Sequence, residues 1–399
     1  MSWPDVEFES IYASPSRNGV YKTKEFHGRG SRIVNMGEMF GYNFISNQDM
    51  KRVELSEREL EANSLEDGDL LFGRRSLVEA GAGKCSLVVK PSDSLTFESS
   101  IIRVRLNKEV ANPRFLYYYF LSPQGRGRIR SIVSGTNVKG IRGSDLKRLP
   151  VSGPPKSIQD EIAAILAAYD DLIENNRRRM ALLEESARLL YREWFIRLRF
   201  PGHEHTRITD GVPEGWERLP FSQLAGFVNG YPFKPAELGV VGLPIVKIPE
   251  LRDGVSDKTP RNEGENIPEK YLLNDGDLLF SWSGTLLIEF WYDGPAILNQ
   301  HLFRVEPQSQ YSRAFLLFAL REALPEFSNQ TVGATMKHIR KAALTTVTVC
   351  IPSHSLLTQF DELAADVFEQ VLNLRRQNQK LRAARDLLLP RLMSGEIAV

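Results

Sequence analysis

The hexapeptide DGDLLF occupies residues 67–72 and returns unchanged at 275–280 in a chain of 399 residues. A shared turn would repeat the hexapeptide alone, whereas a duplicated domain would repeat its flanks in the same order. The flanks do repeat. Trp3, Phe8 and Ile11 precede the first hexapeptide as Trp216, Phe221 and Leu224 precede the second, and NGVYK from Asn18 answers NGYPFK from Asn229. RIVNMGEM (32–39) parallels PIVKIPEL (244–251). Downstream, IIRVR (101–105) parallels LFRVE (302–306), and FLYYYFL (115–121) parallels FLLFALR (315–321). GTNVKGIRGSDL (135–146) then parallels GATMKHIRKAAL (333–344). The offset drifts from 213 to 198, as loop insertions and deletions would make it do. A repeat this long means two homologous domains rather than a solenoid.

Each repeat ends in a long helical pattern. After Pro154-Pro155, Ser157 with Asp160 three residues on reads as a capping box. The apolar residues then step by three and four, so the seam is expected at Ile162, Ile165, Tyr169, Leu172, Asn176, Leu183 and Leu190, with Phe200-Pro201-Gly202 as the stop. The second helix follows Pro352, with Phe360, Leu363, Val367, Leu374, Leu381 and Leu388 on its seam. A 3.5-residue period is a coiled-coil signature, and a polar Asn176 on the seam would fix register. We expect the two helices to pair antiparallel. Between them the repeats read as mixed α/β, with short strands at IVNM, DLLFG, KCSLVVK and SIIRVR and a helix opening at Asn112-Pro113. The expected fold class is α+β: two homologous mixed α/β domains, at 1–154 and 213–352, separated by long helices at 155–200 and 353–399, with a linker at 201–212.

Composition is that of a soluble globular protein, with 42% hydrophobic and 25% charged residues. No apolar run approaches the ~18 residues that span a bilayer, and the acidic start MSWPDVEFES lacks a signal-peptide layout, so no membrane and a cytoplasmic location are expected. Two cysteines, Cys85 and Cys350, exclude a disulfide framework and read as buried thiols of a reducing compartment. The net charge of +1 hides a gradient. Residues 1–156 carry 24 Lys and Arg against 18 Asp and Glu, while residues 213–352 carry 13 against 16. An anionic partner would therefore meet local basic patches, mostly in the first half.

No phosphate-loop or HExxH pattern occurs, and GAGK at 81–84 lacks both spacing and the following Ser or Thr. His203-Glu204-His205 reads as linker rather than a metal site. Asn112-Pro113-Arg114-Phe115 resembles the NPP(F/Y) of amino-methyltransferases, but a helix start explains it better. Catalysis by this chain is not expected, and no metal or cofactor of its own.

Binding chemistry remains. Arg126, Arg128 and Arg130 crowd before the flexible stretch holding Asn137, Lys139 and Arg142, and Arg74-Arg75 follow the first hexapeptide beside Lys84. Such groups suit phosphates and base edges. The second repeat offers Asn229, Tyr231, Lys234, Trp282, Lys337, His338 and Arg340. Like scaffolds with unlike exposed residues imply one ligand class read with two specificities.

The whole chain resembles the specificity subunit of type I restriction–modification enzymes. The resemblance rests on VPEGW (212–216), the paired DGDLLF, LNQHLF (298–303), GTNVKGIR and the tail LLLPRLMSGEI (387–397). It implies two target-recognition domains, each reading half of a bipartite, asymmetric site on double-stranded DNA. It also implies a helical spacer that sets the gap and docks two modification subunits, with restriction subunits joining. S-adenosylmethionine, ATP and Mg would then sit on those partners. The first repeat departs from the pattern in keeping only Ser2-Trp3-Pro4 of the PEGW opening. A different reading is a coiled-coil assembly adaptor with no DNA reading of its own.

Overall fold

A computed structural model of the chain describes residues 3–77, 81–332 and 338–399. They fold into two compact units: residues up to Glu174 together with Asn378–Val399, and Asn175–Gln377.

In the first unit, Ile101–Leu106 is the second strand of a five-stranded sheet. It pairs antiparallel with Tyr12–Asn18 on one side and Leu70–Gly73 on the other. Cys85–Val88 and then a parallel Phe44–Ile45 complete that sheet. The second unit repeats the centre: Leu302–Pro307 lies between Ala225–Asn229 and Leu278–Ser281, followed by Leu287–Phe290, all antiparallel. Both units also pair an early strand with a late one, Asp5–Glu7 with Pro150–Ser152 and Glu217–Pro220 with Thr348–Ile351.

The repeated hexapeptide is a turn that launches the inner strand. Gly68 and Gly276 sit at φ +92° and +87°, a region that glycine enters without strain. The next aspartate closes each turn: Asp69 accepts from the Glu66 amide at 2.8 Å, Asp277 from the Asn274 amide at 2.9 Å. Asp69, almost fully buried, is matched by a two-pronged Arg105 at 2.8 Å, so its charge is paired rather than stranded. In NG, the glycine is dictated by crowding. A Cβ on Gly19 would lie 2.1 Å from the Phe97 carbonyl oxygen, and one on Gly230 2.3 Å from that of Asn299.

Helix α1 (Pro113–Leu121) packs on the first sheet, with Asn112 capping it by accepting from the Arg114 and Phe115 amides. NPRF is thus a helix cap. α2 (Pro123–Ser131) and α3 (Lys156–Tyr191) follow. In the second unit α4 (Arg313–Glu322) takes the place of α1, capped by Ser312, and α5 (His354–Ser394) takes the place of α3. The capping box expected at Ser157 is absent. α3 starts at Lys156, and the Asp160 carboxylate instead accepts from Lys156 Nζ and Asn112 Nδ2, at 2.6 Å each. Those bonds hold its pKa below the usual carboxylate range, Lys156 contributing most.

Each core is closed by the end of a long helix. Leu389, Leu392 and Met393 join Phe8, Phe72, Phe120, Ile162 and Leu166 in the first unit. In the second, Tyr191 at the end of α3 joins Phe221, Phe315 and Phe360, with Phe195 from the π-helical turn Arg192–Ile196 and Phe200 from the segment beyond it, so the α-helix stops short of the expected Phe200. Trp216 of PEGW is a plug there, 5.0 Å from Phe200 and 6.0 Å from Phe195 between ring centres. Trp3 donates its indole N–H to the Leu392 carbonyl at 3.4 Å, so the abbreviated opening of the first repeat also meets a helix end. Cys85 lies inside the first core, where burial pushes its thiol pKa up and leaves it inert.

Within each unit, ascending residues of α3 meet descending residues of α5. The first unit joins Asp170 to Arg385, and Asn378 Nδ2 to the Ile173 carbonyl at 3.2 Å. The second joins Glu184 to Arg375 at 3.5 Å and Tyr191 to Phe360 at 5.9 Å. The helices therefore run antiparallel. The seam keeps its 3.5-residue period, but its phase differs from the sequence reading at three positions. Ile165, Leu172 and Leu363 are 37%, 51% and 51% exposed, and the buried positions are Leu166, Ile173 and Ala364. Ile162, Asn176, Phe360 and Leu374 are buried as expected, and Tyr169, Leu183, Leu190, Val367, Leu381 and Leu388 half-buried. The misreading arises because these helices carry a second, outward apolar stripe. Among the described residues no helix is long and apolar enough to cross a membrane.

The first unit places charge on this seam. Asp170 accepts from the Tyr118 hydroxyl at 2.7 Å and pairs with Arg385, whose other partner is Asp386. The positions matching these in the repeat are Phe318, Phe368 and Ala187, an apolar set with the two rings 5.9 Å apart. Asp170→Ala should cost about 2–3 kcal/mol of unfolding free energy in urea titration, less than a fully buried broken pair because Arg385 keeps Asp386. Transplanting the apolar set as Tyr118→Phe, Asp170→Phe and Arg385→Ala should cost less than Asp170→Ala alone.

Candidate nucleic-acid interface

In the first unit the strands ending at Asn18 and Gly73 and the one starting at Ile101 share one edge, because Asn18 pairs with Ile102 and Gly73 with Ile101. The loops leaving this edge carry the polar residues. Arg74 donates its amide to the Ser100 carbonyl at 2.7 Å and Nη1 to the Ser99 carbonyl at 3.4 Å. Its own carbonyl accepts from the Ile141 amide at 3.0 Å, which folds the GTNVKGIR loop back onto it. Gly140 then pairs with Arg75 and Lys139 with Ser76. Arg74, Arg75, Lys139 and Arg142, drawn from segments some sixty residues apart, thus line one cleft of about 320 Å³. Arg75, Asn137 and Arg142 are exposed, and Arg74 and Lys139 half-buried.

The remaining basic residues are placed differently. Arg128 pairs with Asp5 at 2.6 Å, tying α2 to the first strand. Arg126 donates to the Gly83 carbonyl at 3.0 Å, and burial, followed by the nearby Arg130, lowers its pKa. Lys84 donates to the Phe40 carbonyl at 2.9 Å and lies 5.7 Å over that ring, its pKa also lowered by burial. These three hold the protein together, and of this group only Arg130 is an exposed end. A charge cluster in sequence does not show which of its members already has a partner.

The second unit builds the same edge with other groups. The Trp282 carbonyl accepts from the Ile339 amide at 2.8 Å, and its indole N–H is shared between the Asn229 carboxamide oxygen and the Gln300 carbonyl, both at 3.1 Å. Its ring is stacked with Phe303 and meets His338 edge-on at 6.2 Å. Tyr231 sits in a second aromatic group with Phe233 and Tyr271, its hydroxyl on Glu237 at 3.0 Å. Lys234 and Arg340 are exposed. Lys337 lies outside the described residues. Sequence reading missed His301, whose Nδ1 is 3.1 Å from Ser283 Oγ and whose ring is 6.2 Å from Trp282. The signal was present in LNQHLF, one residue before the strand that pairs with Leu278–Ser281.

Exposed cations on the edge of the first sheet, and a carboxamide with aromatic faces on the edge of the second, are the groups that contact phosphates, base edges and base faces. Comparison with known proteins agrees with that chemistry. A family model described as the type I restriction modification DNA specificity domain matches twice, at residues 18–185 and 213–383. The specificity subunit of type I restriction enzyme MjaIX from Methanocaldococcus jannaschii is 25% identical over 363 residues, covering 82% of this chain and 83% of that one. That of HindI from Haemophilus influenzae is 21% identical, covering 92% and 94%. The crystal structure of the type I restriction–modification S subunit from M. genitalium shares the fold with a TM-score of 0.53 at 15% identity, over 98% of this chain and 96% of that chain.

Replacing Lys139 and Arg142 together with Ala should weaken binding to every duplex sequence. It should also flatten the plot of log affinity against log salt by about one unit per lost phosphate contact. An unchanged slope in fluorescence anisotropy titrations would move the phosphate contacts away from this cleft.

Proposed function

The chain belongs to the type I restriction modification DNA specificity family, and from that premise we propose how its two rims divide the work. It is the DNA target-recognition subunit of a restriction–modification complex, with two recognition domains suited to a bipartite site. The observation that carries the division of labour is the duplicated sheet edge: one backbone frame, presented twice, with different side chains. A pair of identical rims would read a symmetric site, whereas unlike rims read two unlike half-sites. In this reading the cleft of Arg74, Arg75, Lys139 and Arg142 meets the first half-site, and the edge around Asn229, Trp282 and Arg340 the second. α3 and α5 hold the unread gap constant.

The chain contributes recognition and no bond-breaking step of its own. We assign the methyl donor S-adenosylmethionine to two modification subunits, and ATP and Mg to restriction subunits. The outward stripe that confused the seam supports the docking part of this reading. Ile165 and Leu172 lie one heptad apart, as do Leu182 and Leu189, the latter 71% and 46% exposed. On α5, Leu363 and Leu387 are also exposed, at 51% and 72%, without sharing that spacing. Apolar residues repeated at heptad spacing on an outer helix face suit a further helix laid alongside.

Co-expression with the modification subunit, followed by genome-wide mapping of methylated adenine, should return one motif of two short defined halves around a fixed undefined gap. An intact complex that methylates no such motif would favour the assembly-adaptor reading instead. Leu182→Glu with Leu189→Glu should leave the chain folded by circular dichroism yet weaken its co-purification with the modification subunit by at least about tenfold, each buried leucine contributing about 1.5–3 kcal/mol. Undiminished co-purification would place the dock elsewhere.

A further inference from the structure

The two rims can be matched position by position because the same bonds frame them. Arg74 and Trp282 each offer their carbonyl to the isoleucine of the returning loop, at 3.0 and 2.8 Å. Each also aims its side-chain N–H at the carbonyl two residues before the neighbouring strand, Ser99 before Ile101 for Arg74 and Gln300 before Leu302 for Trp282. Gly73 pairs with Ile101 and Ser281 with Leu302, which sets Ser100 against His301. Arg75 pairs with Gly140 and Ser283 with His338. Four equivalences follow. Where the first rim carries Arg74, Arg75, Ser100 and Gly140, the second carries Trp282, Ser283, His301 and His338. Two guanidiniums have been exchanged for three rings and a hydroxyl.

This exchange orients two polar side chains. The Trp282 indole N–H holds the Asn229 Oδ1, so the carboxamide turns its Nδ2 donors away from the indole. Asn229 is exposed, and among the described residues its Nδ2 has no partner. Ser283 Oγ engages His301 Nδ1, which leaves Nε2 as the unengaged ring nitrogen. Both orientations come from neighbours that stay buried or half-buried, so neither side chain has to be ordered again on binding.

We propose that Asn229 and His301, held by Trp282 and Ser283, are the base-reading residues of the second half-site, and that they read it by oriented hydrogen bonds in place of the guanidinium contacts of the first. The proposal rests on the recognition function above and assigns its specificity-determining groups. Its chemistry is restrictive. A free asparagine can grip adenine through N6 and N7 together, using its oxygen and its nitrogen at once. With one of its oxygen's two lone pairs engaged by Trp282 and that oxygen turned toward the indole, Asn229 leads with its Nδ2 donors and favours an acceptor edge: purine N7, guanine O6 or thymine O4. The net acidity of residues 213–352 is consistent with reading that leans little on charge.

The test uses the purified complex of the full chain with its modification subunit, which selects duplexes from a random pool. Asn229→Asp keeps an oxygen for Trp282 but removes the donors, and His301→Phe keeps the ring while removing its nitrogens. Each should lower preference at a base pair of the second half by about tenfold or more, with the first half and the gap as in the unaltered chain. Retention of the first half reports an intact complex. Arg75→Ala should do the reverse, relaxing the first half and sparing the second. A second half that stays unaltered in both variants overturns the proposal, as does equal loss of both halves. A complex of the unaltered chain that selects no two-part site overturns the recognition function itself, a separate and distinguishable result.

Discussion

Neither recognition core is complete without the end of a long helix. In the first unit, Leu389, Leu392 and Met393 come from the far end of the sequence to lie among Phe8, Phe72 and Phe120. In the second, Tyr191 at the end of α3, with Phe195 and Phe200 just after it, lies among Phe221, Phe315 and Trp216. Each of these side chains contributes roughly 1.5–3 kcal/mol when buried, so the helix ends are structural members of the domains and not tethers between them. Rigidity at the rim follows from this. The sheet edge that presents Arg75 or Asn229 is anchored through a core in which the helix takes part, and a side chain held on a rigid element is positioned more closely than one on a free loop.

The seam between the helices shows why the duplication has not stayed symmetric. Tyr118, Asp170 and Arg385 make a polar cluster in the first unit where the second has Phe318, Phe368 and Ala187. A charge pair of this kind adds little net stability compared with well-packed apolar groups. Its value lies in what it forbids. An Asp170 facing an apolar partner would be left buried and unpaired, so pairings in which α3 meets α5 in another register are penalised. Asn176 and Asn378, both buried within the coil, act in the same direction. Two helices of shared ancestry need such marks, because their apolar patterns alone would accept more than one alignment.

Much of this was legible in the sequence. The duplication, the two long helices, the strands around DGDLLF and the helix at Asn112 could all be read from residue order, because each rests on a local pattern repeated twice. The phase of the seam could not. Ile165, Leu172 and Leu363 are as apolar as their buried neighbours Leu166, Ile173 and Ala364, and a helix with two apolar stripes satisfies two seams equally well. The basic cluster was misleading for a related reason. Arg126, Arg128 and Arg130 look alike in sequence, but Asp5 and the Gly83 carbonyl occupy two of them, and both partners are remote in the chain. His301 was passed over because it stands beside a strand and not in a cluster, and only the fold sets it against Ser283.

The sheet edge separates what must be constant from what can vary. The bonds that shape it are mostly backbone: the Ile141 and Ile339 amides, the carbonyls of Arg74 and Trp282, and the pairing of Gly73 with Ile101 and Ser281 with Leu302. None depends on the identity of the side chain it passes through. Even a side-chain bond that recurs there, from residue 74 to the Ser99 carbonyl and from residue 282 to the Gln300 carbonyl, is made by a guanidinium in one unit and an indole in the other. Any long side chain with an N–H can make it. Substitutions at such positions change which groups face outward while leaving the frame intact, so new specificities can arise without the loss of stability that accompanies most changes in a core. A fold built this way puts its sequence-reading chemistry where mutation costs least.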